Sequence, residues 1–312
     1  MKKLIHLNAS SLKSEFCCSR RWYLTVIEGY RKSIRYNDTE YGTAFHAFIK
    51  SLRQTGDLNT SLRAATDYYT SQEWTIRKTP NKSYLTKEHL YKTCTDYYFK
   101  YEHDEFKTLV HNGKPLVELK FAIPYYTDDH VEILLEGTID DLCKNVRGCY
   151  AIRDYKTSAK SGEEIDNYLR SYKLSTQLMY YTYAINWYAK QYPDSVFAEF
   201  ARTRYASFID GVFLCGASKP AVFERSDMIW LDKSMVEFEE LLQGACRKIS
   251  EIIQLGDRPA REGMINGYCF GHFRCPYFNV CAADDPMHAE IILKRDFIQK
   301  PYEPLKIGTE HE

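Results

Sequence analysis

The segment EGTIDDLCKNVRGCYAIRDYKTS (136–158) holds three residues whose types and spacing suit work on a phosphate ester. Two strand-like runs flank a turn at Asn145 to Gly148. If that hairpin is centred on Arg147, Asp140 stands opposite Asp154, with Cβ atoms about 4.5–5.5 Å apart. Two bare carboxylates at that distance repel, and a divalent cation between them removes the cost. Asp154 and Lys156 are two apart and share a strand face. The three together offer two oxygen ligands for a hard metal and one adjacent ammonium. Such a metal activates water and stabilises charge growing on a phosphate, and the lysine can hold that water or neutralise the phosphate. A one-residue slip of the turn would undo the pairing. Asp-x-Lys by itself also fits a solvated surface hairpin.

The elements that must carry these residues follow from periodicity and punctuation. Helices are predicted over 9–30, 40–53, 60–78, 86–107, 165–190 and 231–255. Strands are predicted over 115–123, 131–143, 149–155, 197–205, 208–215 and 221–229. After these come a Cys-rich aromatic knot, 268–281, and a tail with weak signals beyond about residue 285. This order describes a mixed α/β core with helical additions at both ends. Gln177 and Tyr181 lie four apart, on one face of the helix predicted for 165–190. Tyr180 and Tyr183 read as packing residues.

Gly-Thr-Ile-Asp (137–140) followed by Asp-Tyr-Lys-Thr (154–157) resembles the core of the RecB-type nucleases of the PD-(D/E)xK superfamily. The resemblance implies a restriction-endonuclease-like α/β fold. It also implies Mg²⁺ or Mn²⁺ bound by Asp140, Asp154 and the carbonyl of Tyr155, with Lys156 catalytic. Gly42-Thr-Ala-Phe-His46 resembles the family's Gly-x-x-x-His helix, which makes His46 a metal ligand rather than a structural helix histidine. Glu118 resembles the glutamate on the preceding strand, and a satisfied strand-edge carboxylate is the equal alternative. Gln177-Leu-Met-Tyr-Tyr181 matches the family's Gln-x-x-x-Tyr, whose side chains orient the substrate or the catalytic lysine. One nuclease domain is expected over 1–283, with a helical insertion at 54–110 and a tail at 284–312. The implied activity is hydrolysis of DNA, with exonuclease action on single strands or ends favoured. A non-catalytic DNA-binding or recombination partner, or a structure-specific endonuclease, is the alternative.

The chain has ten cysteines, three of them within the thirteen residues 269–281. Cys18 followed by Arg20, Trp22 and Leu24, and Cys275-Pro-Tyr with Cys281, resemble the four-cysteine subset of RecB-type nucleases, which includes AddB-type and CRISPR-adaptation nucleases. The resemblance implies a [4Fe–4S] cluster on Cys18, Cys269, Cys275 and Cys281. Here the spacing is Cys-x5-Cys-x5-Cys where the family has Cys-x2-Cys-x5-Cys, and His272 stands at the position of that first cysteine, so the loop 270–274 would bulge at Gly271. Cys17 could replace Cys18. Zn²⁺, which accepts mixed Cys and His ligands, is the rival, with His272 then a ligand. Cys94, Cys143, Cys149, Cys215 and Cys246 read as core residues.

Composition limits the rest. Forty-two basic and 42 acidic residues give a net charge of zero. Residues 1–35 hold eight Lys/Arg against two Glu, a local net of +6. Arg20, Arg21, Arg31, Lys32 and Arg35 in that stretch are candidates for contact with a DNA backbone. Most of the 26 tyrosines are expected to fill the core. The N-terminus lacks the apolar run of a signal peptide, and no segment reaches the length of a membrane span. An intracellular location is therefore expected, where a disulfide framework is not. No Gly-x4-Gly-Lys-Ser/Thr loop is present, so any unwinding would come from a helicase or recombination partner.

Overall fold

The computed structural model describes residues 2–78, 82–203, 205–217, 219–270, 274–301, 303 and 305. In chain order its main elements are β1 (Lys3–Leu7), α1 (Ala9–Cys17), β2 (Tyr30–Lys32), α2 (Asn37–Thr55), α3 (Leu58–Ser71), α4 (Lys87–Lys100), β3 (Phe106–Thr108), β4 (Val117–Thr127), β5 (Val131–Asn145) and β6 (Tyr150–Ser158). There follow α5 (Glu163–Ser171), α6 (Thr176–Gln191), α7 (Val196–Arg202), β7 (Ala206–Phe213), β8 (Val222–Met228), α8 (Asp232–Leu255), α9 (Pro286–Asp296) and β9 (Phe297–Gln299). The chain divides into two compact units. One joins Met1–Ser33, Lys120–Gly137 and Asp232–Glu312, and the other joins Ile34–Leu119 and Thr138–Leu231. Among the described residues no helix is long and apolar enough to cross a membrane.

In the second unit the far half of β5 pairs antiparallel with β6, through Asp141 with Arg153, Leu142 with Ile152, Cys143 with Ala151 and Lys144 with Tyr150. These pairs are centred on Arg147, and the next pair in register is Asp140 with Asp154, as predicted. The turn has a chemical cause. Asn145 accepts the amide of Gly148 on its carbonyl and those of Arg147 and Cys149 on its side chain. Gly148 supplies the left-handed φ of +86°. β6 then pairs parallel with β7, which requires a crossover, and α5, α6 and α7 form it. β8 closes antiparallel on β7, and β3 lines the other side of β5. Against these strands α2, α3 and α4 bury an aromatic core that includes Tyr41, Phe45, Phe48 and Tyr97 and meets Tyr155 and Val212.

In the first unit β1 pairs parallel with the near half of β5, Lys3 with Val131 through Leu7 with Leu135. Early and late chain segments are interwoven here. β9 pairs antiparallel with β2, Arg258 grips Glu28 at 2.5 and 2.6 Å, and the Tyr277 ring stacks on Phe297 at 4.9 Å.

Several elements differ from expectation. The helix predicted for 9–30 is interrupted at Cys18, whose backbone is extended (φ −173°, ψ 113°). A helical turn over Ser19–Trp22 and a π-turn over Tyr23–Ile27 replace its second half. The helix predicted for 165–190 breaks between Ser171 and Thr176, and Ser175 caps the new start. The strand predicted for 197–205 is α7. Phe197 and Phe200, three apart, face one side: Phe197 packs on Tyr188, and Phe200 on Tyr150 and Tyr205. The helices predicted to reach residues 78 and 107 stop at Ser71 and Lys100. The tail carries α9, capped by Asp285 with a proline in its first turn. Cys149, expected in the core, is exposed at the hairpin end, and Cys215 is half-buried.

Candidate active site

Every predicted active-site residue falls in the second unit. Asp140 is half-buried on β5, between buried Ile139 and buried Asp141. His46 comes from α2, which starts five residues before Gly42 at Asn37. Gly42 leaves no room for a side chain, since a Cβ there would lie 2.8 Å from Thr157 Oγ1. The close approach of α2 to β6 brings His46 Nδ1 to 3.6 Å from Asp140 Oδ2. Glu118 reaches the same place from β4, with a left-handed φ of +52° that side chains rarely adopt. One ligand atom from each of His46, Glu118 and Asp140 lies within 4.8 Å of the others. Among the described residues this is the only such group of three.

Asp154 is held differently. It is fully buried, its Oδ2 is paired with the Lys156 ammonium, and its Oδ1 accepts from Gln177 Nε2 at 3.1 Å. The same Gln177 nitrogen lies 2.8 Å from the Tyr181 hydroxyl, so the i, i+4 pair on α6 forms a brace behind the carboxylate. Tyr155 donates its peptide N–H to Asp140 Oδ2 at 2.9 Å. The close trio is thus His46, Glu118 and Asp140, whereas the sequence grouped His46 with the two aspartates.

The charge states follow from burial and neighbours. Burial, then the Asp154 carboxylate, pushes Asp140 up to about 7, against the pull of His46 and Lys156. Burial alone would depress the Lys156 ammonium, but Asp154 and Asp140 outweigh it and hold it above its usual range. Burial and Asp154 raise the Tyr181 phenol well above its usual value, so it stays a neutral hydrogen-bonding group. The imidazole of His46 and the carboxylates of Glu118 and Asp140 could together hold a divalent cation, beside the Asp154–Lys156 pair.

The opposite face of the same strands holds a buried ion network that sequence reasoning missed. Arg153, fully buried, meets Asp104 at 3.0 Å and Asp141 at 3.2 Å. Arg225 binds Asp104 at 2.7 Å and Asp210 at 2.8 Å. The Tyr155 hydroxyl donates to Asp141 at 3.0 Å, and that of Tyr97 to Asp210 at 2.8 Å. Strand alternation carried the signal: Arg153 and Tyr155 flank Asp154 and therefore point away from it.

In the first unit Cys18, Cys269, Cys275 and Cys281 line one pocket with Arg21, Arg261 and Gly263. A Cβ on Gly263 would stand 3.2 Å from Cys269 Sγ and 3.3 Å from Cys18 Cβ, so the glycine keeps this cradle open. Burial raises the thiols of Cys269, Cys275 and Cys281, the last to about 11. Among the described residues no three of these sulfurs lie within 4.8 Å of one another. Cys17 is not among the lining residues, and its carbonyl accepts from Asn266. His272 and Gly271 lie outside the described residues. Of the basic candidates, Arg20 donates to the carbonyls of Pro259 and Arg258, and Arg31 to those of Thr25 and Tyr30. Their guanidiniums are therefore partly committed to the fold. In the other unit Arg35 bonds Gln72.

The family model described as the PD-(D/E)XK nuclease superfamily matches residues 6–282. The chain belongs to that superfamily, and its mixed α/β sheet architecture is the restriction-endonuclease-like one expected. Among solved structures it is similar to a "Putative exonuclease" from Eubacterium rectale, with 11% identity, a TM-score of 0.46, and 82% of this chain and 84% of that one covered. It is also similar to the protein SSO0001, with 10% identity, a TM-score of 0.27, and 76% and 84% covered. Neither superposition is close, and the assignment rests on the family model. None of the curated proteins matches the chain.

Proposed function

We propose that this protein is a RecB-type, Mg²⁺- or Mn²⁺-dependent deoxyribonuclease that works on single strands or ends. The observation that carries the reading is the gathering of His46, Glu118 and Asp140 beside the Asp154–Lys156 pair. The donor set fits a divalent cation: carboxylate oxygens suit Mg²⁺, and the imidazole favours Mn²⁺. His46, Glu118 and Asp140 would hold it, with Asp154 and the Tyr155 carbonyl next to them. A bound cation supplies water activation and stabilises charge on the phosphate. The chain's own groups do the rest. Lys156 places an ammonium where the attacking water or the phosphate oxygens must sit. Gln177, braced by Tyr181, keeps one Asp154 oxygen in place while the other meets Lys156. The Tyr155 N–H fixes the Asp140 carboxylate.

By the resemblance, Cys18, Cys269, Cys275 and Cys281, which line one pocket, would hold a [4Fe–4S] cluster, with zinc the alternative occupant. Purified protein should cut DNA with Mg²⁺ or Mn²⁺ and stop in EDTA. Asp154→Ala and Lys156→Ala should each lower the rate at least roughly 10²-fold. A protein that bound DNA but failed to cut it with either Mg²⁺ or Mn²⁺ would instead be the non-catalytic scaffold, which works as a recombination partner.

A further inference from the structure

A further pocket, of about 350 Å³, lies within the unit formed by residues 1–33, 120–137 and 232–312. Its wall mixes apolar side chains with Arg21, Arg31 and Lys32 and carries no carboxylate. Among the described residues the Arg21 and Lys32 side chains make no ion pair within 4 Å, although both act on the Cys275 thiol and Lys32 also acts on the Asp296 carboxylate. Ser14, on α1, lines the same pocket. It is only 6% exposed, and its hydroxyl has no hydrogen-bond partner. Helical serines and threonines ordinarily donate to the carbonyl four residues back. Thr55, Ser61, Thr66, Thr70 and Thr95 all do so in this protein. Ser14 does not. A buried hydroxyl left without a partner is destabilising, and an anion oxygen in the pocket would satisfy it.

We propose that this pocket is a phosphate-binding subsite, built by Ser14, Arg21 and Lys32, that grips a nucleic-acid phosphate other than the scissile one. Guanidinium and ammonium groups supply charge, and the hydroxyl supplies a directed donor. A pocket without acidic residues imposes no repulsion on a dianion. The carrier of the phosphate rests on the nuclease reading, whereas the phosphate chemistry rests on the pocket.

The full chain, kept in EDTA so that nothing is cut, is the material for the test. Fluorescent single-stranded DNA should bind, and inorganic phosphate should compete with it and raise the melting temperature. Lys32→Gln and Ser14→Ala should each weaken DNA binding by about 5-fold or more. Lys32→Gln should also flatten the slope of log K against log salt by about 0.7, the loss of one phosphate contact on a single strand. Arg21→Gln should behave alike. Because Arg21 also lines the cysteine pocket, the other two variants decide the matter if it misfolds. Oligonucleotides with and without a 5′-phosphate separate the sources: equal affinity assigns the subsite to an internal phosphodiester, and tighter binding of the phosphorylated strand assigns it to a terminus. Wild-type affinity, phosphate response and salt slope in both Ser14→Ala and Lys32→Gln would overturn the proposal. Wild-type cleavage with Mn²⁺ is scored separately. DNA that is bound but uncut would sink the nuclease reading and leave the subsite standing.

Discussion

Burial and Asp154 push Asp140 up to about 7, which ties the proposed metal site to pH in a measurable direction. Between about pH 4 and 7 the folded protein holds a proton on Asp140 that the unfolded chain has lost. Metal-free stability should therefore fall as pH rises through that window. A cation competes with the same proton, so apparent Mn²⁺ affinity should rise with pH up to about 7 and then level off. Melting curves in EDTA and with Mn²⁺ at pH 5.5, 6.5 and 7.5 test both halves, and a pH-independent Mn²⁺ affinity would remove Asp140 from the site. His46→Ala should raise the Mn²⁺ concentration needed for half-maximal activity while leaving the fold intact, and an unchanged metal titration would return His46 to a structural role. The Asp140 and Asp154 pairing was legible in sequence because a tight turn and a period of two fix every register position in the hairpin. Glu118 was legible only through the resemblance, with a strand-edge carboxylate as the equal alternative, because residue type does not announce the positive φ at which it joins the trio.

The elements show what holds that geometry. β6 carries chemistry on one face and a buried ion network on the other, so Arg153 and Tyr155 anchor the strand that presents Asp154 and Lys156. Arg153→Ala would take the closest cation from Asp141 and leave Asp104 to Arg225 alone, and should cost up to about 3–5 kcal/mol in urea unfolding. An effect near zero would mean that the network relaxes freely. Gly42→Ala gains helix propensity, yet places a methyl against Thr157 Oγ1. It should displace α2 from β6 and weaken metal-supported cleavage more than it lowers the melting temperature. A drop in stability with normal metal dependence would contradict that coupling. Long periodic elements were readable from sequence, and their interruptions were not. Cys18 is extended where a helix was expected, and Ser175 restarts a helix by capping it with its own side chain. The pattern of Phe197, Ala198 and Phe200 fits a strand edge as well as a helix face. The helix α9 did have a legible start, Asp285-Pro286, inside a segment whose apolar pattern is weak.

At the scale of the whole molecule, the unit holding the cysteines is assembled from the beginning, middle and end of the sequence. A cluster on Cys18, Cys269, Cys275 and Cys281, as proposed, would close a very long loop and so favour the folded state. Anaerobically purified protein should contain iron and labile sulfide, and Gly263→Ala, which crowds the cradle without removing a ligand, should lower its iron content. Colourless protein with about one zinc would replace the cluster by a zinc site and bring His272 back as a ligand. The cysteine segments were recognisable by spacing, but the choice of Cys18 over Cys17 needed the backbone turn between them. Cleavage of DNA by Asp140, Asp154 and Lys156 with a divalent cation, as proposed, can be read by incubating end-labelled linear single strands, linear duplex and closed circles with wild-type and Lys156→Ala protein in Mg²⁺ or Mn²⁺. Wild type should shorten linear strands from an end and spare circles, with at least roughly 10²-fold slower release by the variant. Equal release by the two proteins, or no release by wild type with either cation, would contradict it.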